Sequence, residues 1–260
     1  MSDILDVFKR SPSKAGIFAD FDGTLSEIAI LPHDARPLEG TVELLNELGR
    51  RFALVAVVSG RSARQLSEWL GPELEIWGTH GAELAHGGSI TLTEKAARYE
   101  ELMAKVRDEA ATVLAELAIE GVVLEDKRVM IGLHFRAAKD VEGARSTLDE
   151  VAQRLADRHG LRRAGGRLAF ELRPPDEFSK AAVVLERARA AKLEAAMFIG
   201  DDRVDLPAFD ALDVLADEGM ATARIAVSSD EVPPELIERA DIVVENPTSA
   251  LDLLRGLLTD

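Results

Sequence analysis

Short apolar runs recur along the chain, each ending in small or acidic residues and followed by a stretch whose apolar positions repeat at helical spacing. Residues 17–25 set the pattern: Ile17, Phe18 and Ala19 read as a buried strand that runs directly into Asp20 and Asp22. A loop carrying Pro32 and Pro37 follows, and residues 40–51 place Val42, Leu44, Leu45 and Leu48 at helix spacing. A second buried strand, 52–58, closes in Ser59-Gly60-Arg61-Ser62 and gives way to a helix with Leu66, Trp69 and Leu70. A third starts at Glu75, runs into Gly78-Thr79-His80-Gly81, and is followed after Gly87-Gly88 by a return strand through Leu92. Strand, helix, strand, helix, strand predicts an α/β fold, a doubly wound parallel sheet with helices on both faces. Ligand sites in such a sheet lie at the carboxyl ends of the strands, where Asp20, Ser59 and His80 all fall.

The periodicity changes at about residue 94. One long helix is predicted over 96–118, with Tyr99, Leu102, Met103, Val106, Val113, Leu114 and Leu117 on one stripe. Strand patterns over 121–126 and 128–136, a helix over 140–159, and two short strands flanking Gly165-Gly166, read as a hairpin turn, complete an αββαββ layer. This predicts a second, smaller α+β domain inserted in the first. Val129, Ile131, Leu133 and Phe135 share one face of its sheet and His134 and Arg136 the other; Leu168, Phe170 and Leu172 likewise oppose Glu171 and Arg173. Glu125 and Lys127 close the first of these strands. The charged face is either an ordinary solvated face or a set of ligands. After Pro174-Pro175 the alternation resumes, with a helix from Ser179-Lys180 to about 191 and a strand over 195–199 that ends in Gly200-Asp201-Asp202-Arg203-Val204-Asp205. A helix with Phe209 and Leu212, strands over 223–227 and 241–244, and a helix over 247–258 finish the sheet.

With 260 residues, 47% of them hydrophobic, the chain has ample material for a packed core. Its formal net charge of −16 argues against a nucleic-acid or anionic-membrane surface, so an anionic substrate must be drawn by a few local cations. The absence of cysteine excludes disulfides, thiolate metal sites and cysteine nucleophiles, which leaves oxygen ligands for any metal. Residues 1–14 lack the apolar core of a signal peptide, and no apolar run approaches the ~18 residues of a membrane span. A cytoplasmic protein is expected.

Two carboxylates at the end of a core strand are costly unless their charge is offset. A divalent cation would do this, and a held carboxylate can then attack phosphorus. Gly23 lets the chain turn after Asp22, so Asp20 can serve as nucleophile while Asp22 handles protons; the alternative is an acidic corner that caps backbone amides. Ser59-Gly60 before a helix is an anion cradle or an ordinary cap. Lys180 opposes the dipole of its own helix, which is an unneeded cost unless its charge has a task, although a solvent-facing lysine is equally open. Asp201, Asp202 and Asp205 repeat the problem of Asp20 and Asp22, and one shared cation would solve both.

Asp20-Phe21-Asp22-Gly23-Thr24-Leu25, Ser59-Gly60-Arg61, the lone Lys180 and Gly200-Asp201-Asp202-Arg203-Val204-Asp205, in this order, resemble the motifs of the haloacid dehalogenase superfamily of phosphatases. More narrowly, Gly78-Thr79-His80-Gly81-Ala82-Glu83, Leu124-Glu125-Asp126-Lys127, Leu133-His134-Phe135-Arg136 and Glu171-Leu172-Arg173-Pro174-Pro175 are similar to the trehalose-6-phosphate phosphatases. The resemblance covers the chain from about Gly16 to its end. It implies a catalytic core over residues 1–93 and 174–260 and an α+β cap over 94–173, Rossmann-like in the core. It also implies Mg²⁺-dependent hydrolysis of trehalose 6-phosphate through an aspartyl-phosphate on Asp20, with Asp22 as acid and then base.

On the same resemblance, Ser59, the Gly60 amide and Lys180 would hold the phosphoryl oxygens, with Arg61 nearby. Mg²⁺ would sit on Asp20, the Asp22 backbone carbonyl and Asp201, and Asp202 and Asp205 would bond its waters or Lys180. The cap would close over the sugar, whose hydroxyls would meet Glu125, Lys127, Arg136 and Glu171, with His80 and Glu83 from the core. The partner implied is a small-molecule sugar phosphate, with no nucleic acid and no membrane, acting on a monomer. The chain departs from the family pattern at Val204 and Leu206, where a Thr and an acid are usual, and at Thr79, where Asn is common. Alternatives are a phosphatase of another sugar phosphate (sucrose phosphate, or a mannosyl- or glucosyl-phosphoglycerate), a phosphohexomutase that keeps water from the same intermediate, and a non-catalytic sensing module.

Overall fold

The apolar run Ala15–Ala19 is buried at every position and forms β1, with strands on both sides of it in the larger sheet. The computed structural model describes residues 3–29, 34–166, 168–176, 178–230 and 232–259; Pro32, expected in the loop after Asp22, lies outside them. The chain enters β1 from a helix that the sequence pattern left uncalled, α1 (Asp3–Arg10). Leu5 and Phe8 of α1 are buried, so this segment belongs to the core. After β1 come α2 (Thr41–Arg51), β2 (Leu54–Val58), α3 (Ala63–Leu70), β3 (Glu75–Gly78), β4 (Glu83–His86) and β5 (Ser89–Leu92).

The next segment holds α4 (Glu94–Ala97), α5 (Glu100–Leu117), β6 (Val123–Asp126), β7 (Ile131–His134), α6 (Val141–His159), β8 (Arg162–Gly166) and β9 (Ala169–Arg173). The single helix expected over 96–118 is two, because the Tyr99 N–H turns back to Ala96 O (3.0 Å) in a three-residue closure and Met103 N–H restarts the ladder on Tyr99 O (2.9 Å). The two glycines expected to form a hairpin turn lie inside β8 instead, where Gly165 pairs with Phe170 and Gly166 with Ala169. Leu168, with φ of 51°, takes the left-handed conformation there.

The chain then continues through α7 (Lys180–Ala190), β10 (Ala195–Gly200), α8 (Leu206–Asp217), β11 (Ala221–Val227), α9 (Pro234–Arg239), β12 (Ile242–Val244) and α10 (Pro247–Gly256). Helix α9, a single short turn-and-a-half after Pro233, was not expected either. The described residues divide into two compact units, those within 3–28, 35–91 and 178–259 in one and residues 29 and 34 with those within 92–176 in the other.

In the first unit the sheet order is β12-β11-β10-β1-β2-β3-β4-β5. The strands from β12 to β3 are parallel, and β4 turns back against β3. The α/β doubly wound reading therefore holds. From β1 the chain runs outward through β2 and β3 on one side and through β10, β11 and β12 on the other. The order reverses between β1 and β10, and the crevice outside their carboxyl ends is where such a sheet places a ligand. One face packs Phe18, Val58, Phe198 and Ala226 against Val183, Phe209 and Leu212 of α7 and α8.

The second unit is an antiparallel sheet of order β6-β7-β9-β8 backed by α5 and α6. Ile131, Leu133, Phe135, Phe170 and Leu172 meet Met103, Val106, Leu148 and Leu155 in its own core, on the face that the alternation assigned to them. Among the described residues, no helix is long and apolar enough to cross a membrane.

If α1 is part of the core, Phe8→Ala should cost about 3–5 kcal/mol of unfolding free energy. Urea denaturation checks this, and an unchanged midpoint and slope would show that α1 is a dispensable appendage.

Candidate active site

Asp20 is the first residue past β1 and Asp201 the first past β10, and the pairing of those strands sets them side by side: the Asp20 N–H donates to Ile199 O at 2.8 Å. Residues 21–26 then fold tightly, with Leu25 N–H on Phe21 O (2.8 Å) and Gly23 N–H on Ser26 O (2.9 Å). Gly23 has φ of 74°, and a Cβ there would run into the Asp201 carboxylate, so glycine is required twice over. Lys180 is the first residue of α7, after Ser179, whose Oγ caps the Ala182 N–H at 3.3 Å. The unfavourable placement flagged in the sequence has its reason here. Lys180 Nζ lies 2.7 Å from Asp20 Oδ1 and donates to Asp205 Oδ1 at 2.6 Å, with 1% of its side chain exposed.

Asp205 acts as the anchor of the fourth loop. Its Oδ2 accepts the Asp201 and Asp202 N–H groups, each at 3.0 Å, and Gly200 leaves the space for it. Asp202 Oδ1 accepts the Arg203 N–H at 2.6 Å, so Asp202 is turned toward the short helix that follows. Burial, joined by Asp205 and Asp22 and opposed by Lys180, pushes the Asp20 carboxyl up to about 7. Burial works against the Lys180 ammonium, but Asp20 and then Asp205 outweigh it and raise its pKa. One ammonium among these acids leaves an excess of buried negative charge. Asp20, Asp201 and Asp205 offer oxygen atoms that all lie within 4.8 Å of one another. A buried, cysteine-free, all-oxygen donor set with surplus charge fits a hard divalent cation.

Asp22 is not in that cluster through its carboxylate. Arg61 grips it instead, Nε to Oδ2 and Nη2 to Oδ1, both 2.7 Å. Arg61, expected near the phosphoryl group, thus directs its guanidinium to Asp22. Ser59 is buried, and its Oγ accepts the Arg61 N–H at 3.3 Å. Gly60 packs its bare Cα under the His80 ring, for a Cβ would lie 2.9 Å from His80 Cε1. Thr79 and His80 both have positive φ, 51° and 57°, a strained pair for residues with side chains. The strain is held by Thr79 N–H on Arg61 O (2.7 Å), His80 N–H on Ser59 O (2.9 Å) and the Thr79 hydroxyl on Glu83 Oε2 (3.1 Å). Glu83 Oε2 also accepts the Ala63 N–H at the start of α3 (2.8 Å), and the residue is 1% exposed. Glu83 therefore fixes the loop between β3 and β4 to the loop after β2.

In the second unit, one register row across the sheet reads Glu125, Gly132, Glu171, Ala164. The small residues make room: a Cβ on Gly132 would lie 2.7 Å from His134 Nε2. A chain of polar contacts fills that face: a hydrogen bond between His134 Nε2 and Glu125 Oε2 (2.7 Å), then ion pairs from Glu125 Oε2 to Lys127 Nζ (3.5 Å), Lys127 Nζ to Glu171 Oε1 (2.7 Å) and Glu171 Oε2 to Arg173 Nε (2.8 Å). Burial opposes the Lys127 charge, but Glu171 and Glu125 raise its pKa nonetheless. Arg136 lies beyond the end of β7, half-buried, and is not a link in this chain. His134 and Arg173, which the alternation put on this face, were not named as site residues, and only the pairing register ties them to Glu125 and Glu171.

The family described as trehalose-phosphatase matches residues 18–236, most of the chain and every element of the acidic cluster. The chain belongs to the trehalose-phosphatase family. A relative named trehalose-phosphate phosphatase from Mycolicibacterium paratuberculosis is 39% identical over 211 residues, 75% of this chain and 51% of that protein. Another of the same name from Mycobacterium marinum is 36% identical over 212 residues, 76% of this chain and 52% of that protein. The chain thus spans about half the length of these trehalose-phosphatase relatives. In fold it is similar to a crystal structure of a trehalose-6-phosphate phosphatase related protein, with a TM-score of 0.77, 22% identity, and 93% and 96% of the two chains covered. The C-terminal domain of the Candida albicans trehalose-6-phosphate phosphatase gives 0.76, 18%, 99% and 97%.

A cation held by the buried carboxylates stabilises the folded state by mass action, about 2.7 kcal/mol at a hundredfold excess over Kd. Adding Mg²⁺ to EDTA-treated protein should therefore raise Tm by several degrees, and Asp201→Ala should remove the rise. A Mg²⁺-dependent rise that survives the substitution would place the cation elsewhere.

Proposed function

We propose that this protein hydrolyses trehalose 6-phosphate to trehalose and inorganic phosphate. The observation that carries this reading is the pairing of Asp20 and Asp205 on the buried Lys180 at the switch point of the sheet, in a chain of the trehalose-phosphatase family. A fully buried ammonium that faces two carboxylates serves neither solubility nor economy of folding. It is well suited to hold both a nucleophile and the phosphoryl oxygens it attacks.

An Asp20 oxygen forms a bond to phosphorus as the bond from phosphorus to the sugar oxygen breaks, and Asp22 gives that oxygen its proton. Water then attacks the phosphorus of the aspartyl-phosphate, Asp22 takes the proton of the water, and the bond to Asp20 breaks to release phosphate. Lys180, the Ser59 hydroxyl and the Gly60 N–H bind the phosphoryl oxygens, whose charge spreads during transfer. Asp20, Asp201 and the Asp22 backbone carbonyl would hold Mg²⁺, and Asp202 and Asp205 would bond its waters or Lys180. When bound, the ion neutralises charge on the transferring group and on its carboxylate ligands. Glu125, Lys127, Arg136 and Glu171 of the segment 94–173 read the sugar hydroxyls, as does His80. Glu83 acts on recognition through the Thr79–His80 loop it fixes. The reading takes the protein as a monomer.

Phosphate release from trehalose 6-phosphate, beside sucrose 6-phosphate and glucose 6-phosphate, tests the reading. Trehalose 6-phosphate should be turned over in preference to the other two, EDTA should stop it, and Asp20→Asn should leave below about a thousandth of the rate. Equal turnover of all three would deny the sugar assignment, and release from none would favour a mutase or a sensing module.

A further inference from the structure

The Arg61 fork rests on two aromatic rings. Its Cζ lies 5.1 Å from the centre of Trp69 and 5.7 Å from that of Phe21, and the two rings are 5.4 Å apart. Its third nitrogen, Nη1, donates to Gln65 Oε1 at 3.1 Å. Residues 61, 65 and 69 are spaced four apart, so Gln65 and Trp69 present one face of α3 to the guanidinium. A second guanidinium, that of Arg36, lies 5.4 Å from the centre of the Trp69 ring. All three nitrogens of Arg61 are thus directed, and its cation lies over two rings. Only 9% of the Arg61 side chain is exposed, against 35% of Asp22.

That contrast separates the two roles. Asp22 is the more exposed partner, and its carboxylate would sample several rotamers if left alone. Arg61 cannot, because its position is set from α3. A bidentate grip from a fixed plane fixes the plane of the carboxylate it holds. We propose that Trp69 is a positioning residue for the reaction: with Phe21 it seats the Arg61 guanidinium, which in turn aims the Asp22 carboxylate at the phosphoryl site. The proposal rests on the assignment of Asp22 to proton transfer made above. Trp69 itself touches no reacting group, and its effect passes through Arg61.

Losing a partly desolvated cation–π contact loosens the fork, so Trp69→Leu should lower kcat about tenfold, with KM within about twofold. Trp69→Phe retains a ring and should recover most of that loss. Lysine can neither form the fork nor stack as a plane. In an Arg61→Lys background, Trp69→Leu should therefore cost less than about twofold more, the non-additivity of residues that act through one another. A merely structural Trp69 predicts instead that the two losses multiply, and that result, or a wild-type kcat in Trp69→Leu, overturns the proposal. A second measurement needs no activity. Trp69 and Trp77 are the two tryptophans of the chain. In the Trp77→Phe protein, Arg61→Lys should shift Trp69 emission, and an unchanged spectrum overturns the stack. If the wild type hydrolyses no sugar phosphate, the proposed function falls, and the emission measurement still decides whether the fork is seated on Trp69.

Discussion

Buried charge governs this fold. Asp20, Asp201 and Asp205 sit in a core that holds one compensating ammonium, Lys180, and each of the four is almost fully enclosed. Removing one partner of such a pair leaves an uncompensated buried charge, at a cost of about 3–5 kcal/mol. The surrounding backbone is arranged to lessen the imbalance. Asp205 spends one oxygen on Lys180 and the other on two backbone N–H groups, so its own charge is well satisfied. The residual surplus falls on Asp20 and Asp201, at the facing ends of two parallel strands.

The loops around this cluster follow from it. Gly23 and Gly200 lie where a Cβ would displace an acid, and Gly60 where it would displace His80. The positive φ values at Thr79 and His80 are maintained by Glu83, which ties the loop after β3 to the start of α3. The result is a frame of strand ends, helix starts and strained turns around the acidic cluster. In the second unit the same economy appears in another form. Gly132 and Ala164 clear a row of the sheet so that a five-residue polar chain, His134, Glu125, Lys127, Glu171 and Arg173, can run across it.

The parts legible in the sequence are those that depend on local patterns. Short apolar runs closed by Asp20, Ser59 and Asp201 mark parallel strands and their carboxyl ends, and the fold class follows from them; that Asp205 rather than the Asp22 carboxylate joins Asp20 and Asp201 in the acidic cluster does not. Lys180 is legible as an anomaly, a cation in the wrong turn of a helix, although its partners are remote in sequence. Helix α1 is hard to read because it is only eight residues long and half of them are charged, although Leu5 and Phe8 stand at helical spacing. The break at Tyr99 was missed because an unbroken apolar stripe gives no sign of a three-residue closure. The partner of Arg61 could not be read at all. Residues 22, 61 and 69 meet only through the packing of α3 against the loop after β1, and no spacing along the chain encodes that meeting.

Whether Asp20 takes the phosphoryl group is decided most directly by trapping it. Acid-quenching a turnover mixture and reducing it with borohydride converts an acyl phosphate to an alcohol, so the trapped aspartate becomes homoserine and peptide mass spectrometry locates it. Conversion at Asp20, absent without substrate, is the predicted result. Conversion at Asp22 or Asp201, or none while phosphate is being released, would contradict the assignment of Asp20 as nucleophile.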